Sequence, residues 1–216
     1  MIMKNLFFFR FLAASILFFG FVTDSSAKGG KDKVSNEKKI LIVGLTDNVK
    51  SNHFYDDWIA EETGMKVENI DSEYNYIIAD NIASTGSQEN YKFIPISDDQ
   101  VCEKITQGIK VEGEGEGCHS DLSNVLENDL QDLLNKSDAD YLLVLNQHYL
   151  KYQERPMNTI FHIVSFTLFD KNKKDLLHGN NYFTSINLEK PEKVRKISRK
   201  STSKIASSII KTLEQI

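Results

Sequence analysis

The segment Tyr141-Leu142-Leu143-Val144-Leu145 restricts most sharply what this chain can become. Five successive apolar residues are too few for a helix. Entered through Ala139-Asp140, they read as a central strand covered on both faces. Such a strand needs a layer above it and a layer below it, so the rest of the chain must supply helices for two sides of a sheet.

The remaining pattern meets that demand. Lys39 to Leu45 is a β-branched run ending at the polar turn Thr46-Asp47-Asn48, a buried first strand. Tyr55, Trp58 and Ile59 line one face of a short helix that stops at Gly64. A polar loop runs through Asp71, and Tyr76, Ile77, Ile78, Ile82 and Ala83 fit a second helix closed by Ser84-Thr85-Gly86. Tyr91 to Ile96 is the next strand, expected to lie at an edge or to finish at Pro95, which has no N–H to donate. Ser97-Asp98-Asp99-Gln100 opens a helix carrying Val101, Ile105 and Ile109. Gly113 to Gly117 interrupts it. A helix starting at Ser120-Asp121 then carries Leu122, Val125, Leu126, Leu130, Leu133 and Leu134 in one stripe. Ile160 to Phe169, the turn Asp170 to Lys174, and Leu176 to Ile186 form an antiparallel pair. Pro191 begins a last helix with Val194, Ile197, Ile205, Ile209, Leu213 and Ile216 on one face. The expected fold is α/β: a mixed sheet of about five strands, parallel where helices cross over, with helices on both faces and an amphipathic carboxy-terminal helix.

Ahead of this domain, Lys4 precedes an apolar stretch whose uninterrupted part, Phe11 to Val22, is 12 residues long. A bilayer span needs roughly 20. Ser25-Ser26-Ala27 places small residues where a signal peptidase reads, so residues 1–27 are expected to be a cleaved signal peptide. Residues 28–38 read as a disordered tether and residues 39–216 as one domain. The alternative is an uncleaved anchor. No cysteine follows the apolar stretch, so no lipid anchor on a mature amino-terminal cysteine is expected. The mature chain is expected to be periplasmic or extracellular, without a stable membrane span.

Charge is unevenly placed. Residues 151–216 hold 13 Lys and Arg against 6 Asp and Glu, a balance of +7, while residues 28–150 carry −13. That layout argues against nucleic-acid binding by the whole domain. The basic excess gathers in Lys193, Arg195, Lys196, Arg199, Lys200 and Lys204 of the last helix, a face suited to anionic headgroups, wall polymer or an acidic partner, or simply to solvent. In an oxidising compartment Cys102 and Cys118 are expected to pair. The bridge would close a loop of about 17 residues, worth about 3 kcal/mol on the loop-entropy account.

Ser137-Asp138-Ala139-Asp140-Tyr141-Leu142-Leu143-Val144, the strand end Leu168-Phe169-Asp170-Lys171-Asn172-Lys173, and the terminal helix together resemble a small α/β envelope domain. It is shared by the amino-terminal domain of the translocation protein TolB, the curli-secretion lipoprotein and penicillin-binding-protein activator lipoproteins. In that family an Ala-Asp-Tyr strand opening and an Asp-x-x-x-(Gly or Lys) turn are common. The resemblance covers most of residues 39–216 and implies a non-catalytic envelope component that binds other proteins. The family's lipid-anchoring cysteine is missing here.

No catalytic, cofactor or metal signature stands out. His53, His119, His148, His162 and His178 are scattered, without the i, i+4 spacing of a helical zinc site. His119-Ser120-Asp121 are adjacent, which is not how a triad converges. Glu112, Glu114, Glu116 and Asp121 surround three glycines and offer calcium at best weak oxygen ligands; a solvated loop is the simpler expectation. The leading expectation is therefore an exported, non-catalytic protein that binds a partner protein or envelope component. The alternative is a small hydrolase or ligand-binding protein assembled only in three dimensions, with His148, His162 and Asp170 as its first candidates.

Overall fold

The computed structural model describes residues 37–96 and 105–216. The leader, most of the tether, the capping segment Ser97 to Gln100, and Cys102 lie outside them. The described residues form an α/β fold around one mixed sheet with strand order β3-β1-β6-β7-β8. β1 (Lys38–Gly44) pairs in parallel with β3 (Tyr91–Pro95) on one side and with β6 (Tyr141–Gln153) on the other. β7 (Thr159–Asp170) and β8 (Asp175–Ser185) continue the sheet antiparallel. The short β2 (Val49–Ser51), invisible in the sequence pattern, extends the parallel pairing along the second half of β6. The sheet begins one residue earlier than expected: Lys38 pairs with Tyr91, and its Nζ donates to the Leu213 carbonyl at 2.7 Å.

Each face carries a layer. Ile40, Ile42, Leu143, Leu145, Val164, Phe166 and Leu168 point into a core shared with α1 (Asp56–Thr63), α2 (Ile70–Gly86) and the last helix. Leu41, Val43, Leu142, Val144 and Phe169 point the other way, against α3 (Glu127–Lys136) and the segment holding Ile105 and Ile109. The last helix, α4, spans Pro191–Leu213 with proline in its first turn. None of the helices in the described residues is long and apolar enough to cross a membrane.

The turns around Asp140 and Asp170 have a physical basis. The Asp140 carboxylate accepts the Lys39 N–H at 2.8 Å, tying the entry of β6 to the entry of β1. Asp170 Oδ1 accepts the N–H groups of Asn172 and Lys174 at 2.8 and 2.9 Å, which closes the β7–β8 turn.

Several local expectations are corrected. α2 starts at Ile70, not after Asp71, because the Asp71 carboxylate has local work. It accepts the N–H groups of Asp47, Asn48 and Val49 at 2.8–3.0 Å and so shapes the turn into β2. The helix expected from Ser120 begins instead at Glu127. His119–Asp121 is strand β5, paired with β4 (Lys110–Glu112). Leu122 and Val125 are still buried from the turn that follows, but Leu126 is 68% exposed at the helix entrance. Ile216 lies past the end of α4 and is 73% exposed. The loop Gly113 to Gly117 is mostly exposed, but it is anchored at two points: the Gly115 N–H donates to Gln147 Oε1 at 2.7 Å, and Asn180 Nδ2 donates to the Glu116 carbonyl at 2.8 Å.

Candidate functional site

The sequence nominates four constellations and one strand edge, and the structure sorts them. His148 and His162 do meet. A register shift between Leu145 and Gln147 turns His148 toward the α2 side, where His162 already points. His148 Nε2 lies 3.2 Å from His162 Nδ1, and His162 Nε2 lies 3.0 Å from Ser185 Oγ. The Ser185 hydroxyl donates to the Asn187 carbonyl at 2.7 Å. It must therefore accept from His162 Nε2–H, which leaves His162 Nδ1 to accept from His148 Nε2–H. His148 Nδ1 ends the relay as a bare acceptor, and it and the Tyr74 hydroxyl are buried without a hydrogen-bond partner. Burial pushes the His162 pKa down to about 3 and the His148 pKa well below its usual value. The void beside His148 has no room for a water molecule. Asp170 belongs to the far end of β7 and spends its carboxylate on the turn. The trio His148, His162 and Asp170 therefore does not converge.

The other trio disperses as well. Ser120 Oγ donates to Asn146 Oδ1 at 2.6 Å inside the fold, while Asp121 accepts from Ser123 at the surface. His119 Nε2 lies 3.7 Å from a Glu112 carboxylate oxygen, across the β4–β5 pair. Groups of three or more metal-ligating side chains are not assembled among the described residues. Cys118 is a free thiol, buried beneath the glycine loop, with its pKa raised by that burial. Its expected partner Cys102 lies outside the described residues.

The basic face of α4 divides in two. Lys193 pairs with Glu189 at 2.8 Å. Arg195 pairs with Asp80 of α2 and lies over the Tyr76 ring, 5.1 Å from its centroid. Those two residues fasten α4 to its surroundings. Lys196 and Arg199 are exposed. Lys200 and Lys204, one turn apart, line a groove of about 380 Å³ between α4 and β8. Its floor and far wall are Ile197, Ser201 and the strand residues Asn181 to Thr184. Ser201 Oγ donates to Asn181 Oδ1 at 3.1 Å, which holds helix and strand at this spacing.

That strand is a sheet edge. The expected edge at Tyr91 to Ile96 is also present, as β3, but it has only five residues and ends in Pro95. β8 has 11 residues, contains neither lysine nor proline, and pairs only with β7 among the described residues. Sequence reasoning found the basic helix residues and the β7–β8 hairpin. It missed that two of the lysines overhang the open side of β8, because the packing angle of α4 decides which of its residues reach that side.

Comparisons with known proteins give no family assignment. No family model matches the chain, and neither does any curated protein. Among solved structures, one match is to the PelC dodecamer from Paraburkholderia phytofirmans. It has 10% identity and a TM-score of 0.40, and covers 81% of this chain and 89% of that one. Another is a hypothetical protein from Chlamydia trachomatis, with 11% identity and a TM-score of 0.38, covering 68% of this chain and 72% of that one. At those scores the likeness carries no argument about what this chain does.

Proposed function

We propose that this chain is an exported, non-catalytic binding protein that takes an acidic, extended segment of a partner protein alongside β8. The observation that carries the reading is the long unpaired edge of β8 lying beside a groove walled by Lys200 and Lys204. An open edge presents a row of backbone donors and acceptors, and proteins normally blunt such an edge with lysine, proline or a cover. Here the edge strand has none of the first two. An incoming strand would gain main-chain hydrogen bonds from β8, and its alternate side chains would point into the groove. The lysines there select carboxylates and suppress basic competitors. The apolar leader and the resemblance to envelope domains support placing this work outside the cytoplasm.

The reading is tested with a Lys200→Glu/Lys204→Glu variant. Both side chains are exposed, so the fold is expected to persist, as circular dichroism can verify. An envelope fraction passed over immobilised wild-type chain should yield a reproducible partner. Retention of that partner should fall about tenfold or more on the variant and decline with salt. Equal retention by both chains would refute the groove as the site.

A further inference from the structure

A second cavity, of about 220 Å³, lies where β6 ends and β7 begins, apart from the β8 groove. Its wall is aromatic. His53 stacks on Tyr152 with ring centroids 4.4 Å apart and planes at 21°. Phe54 meets Trp58 and Tyr152 edge-on, at 5.2 and 5.7 Å. Trp58 keeps 39% of its surface exposed, though its neighbour Ile59 is fully buried, so the helix spends its largest side chain at the surface. Ile160 and Ile186 supply an apolar side, and Glu62, one turn along α1 from Trp58, supplies a carboxylate. α1 also carries Asp56, Asp57 and Glu61, all exposed, and no basic residue.

We propose that this cleft binds a lysine or arginine side chain presented by a partner protein. The alkyl stem would lie against Ile160 and Ile186, and the charged end would rest between the Trp58 ring and the Glu62 carboxylate. Aromatic faces are electron-rich and attract a cation, tryptophan most strongly. The carboxylate adds a counter-charge at the same place. An anionic group would be repelled by Glu62. A neutral apolar anchor would strip water from that carboxylate without compensating it. The proposal stands independently of the β8 groove, whose charge preference is the opposite.

Trp58 is the only tryptophan in the chain, so its emission reports on this cleft directly. The probe is a short peptide with one central lysine flanked by glycines. Its control carries norleucine, which keeps the alkyl stem and removes the charge. The lysine peptide should shift Trp58 emission saturably at low salt, and the norleucine peptide should bind at least about threefold more weakly. Glu62→Gln, a change at an exposed position, should weaken the lysine peptide about threefold to tenfold and leave the norleucine peptide unaffected. Trp58→Leu, followed by calorimetry, should reduce the preference for lysine to the part that Glu62 sustains, and Trp58→Leu/Glu62→Gln should abolish it. Equal binding of the two peptides, or no response to either, would overturn the assignment. So would a shift produced by phosphatidylcholine vesicles without one from the lysine peptide, which would give the cleft to a lipid headgroup.

Discussion

The hydroxyl of Ser185 sets the tautomers of two histidines that burial keeps neutral. Because it donates to the Asn187 carbonyl, it accepts from His162 Nε2–H, and burial holds both rings neutral in the folded chain. The unfolded chain leaves both free to titrate near their ordinary value of about 6.5. As pH falls through that value the unfolded state takes up protons that the folded state refuses. The contribution to stability is therefore complete above about pH 6.5 and is lost as pH falls toward 3, the folded value of His162. For each group the slope approaches about 1.4 kcal/mol per pH unit. A His148→Gln/His162→Gln variant should show a flatter dependence of its urea midpoint on pH between 6.5 and 4 than the wild type. Parallel curves would contradict the relay. Strict alternation along β6 would have put His148 and His162 on opposite faces of the sheet. The single extra residue in β6 reverses that, and nothing in the residues around Asn146 announces a bulge.

Among the elements, those whose character depends on neighbours in sequence were legible, and those that depend on neighbours in space were not. β1, β6, β7 and α4 show in the apolar pattern because each buries an apolar run or stripe, whereas β8, with Phe183 its one buried residue, shows mainly as the partner across the Asp170 turn. β2 and β5 are three-residue pieces, too short for any periodicity to mark, and β2 is held by β6, far along the chain. Gly86 reads as a helix stop, but its lasting constraint is packing. A methyl group placed there would come within 2.4 Å of the Ala206 side chain and 2.9 Å of the Phe93 ring, where α2 meets α4 and β3. Asn81 sits in the same joint, donating to the Arg195 carbonyl and to Ser198 Oγ at 2.7 and 2.8 Å. Gly86→Ala should therefore cost about 1–3 kcal/mol in a denaturant titration, by overpacking. An unchanged or raised midpoint would show that the joint is looser than the distances say.

At the scale of the molecule, the described sheet has one guarded edge and one open edge, and the function proposed above makes the open edge a directional binding surface. β3 closes its side with a short strand and a proline. β8 leaves its side open, beneath two lysines. Two members of the basic excess of residues 151–216, Lys200 and Lys204, border the open edge. The most direct measurement places a photo-crosslinking amino acid at Thr184, on the exposed stretch of β8, with a control at Lys171 in the β7–β8 turn. In the intact envelope, Thr184 should give an adduct that maps to an acidic, extended segment of one partner, and Lys171 should not. An adduct of the same partner at both positions, or none at Thr184, would contradict the account.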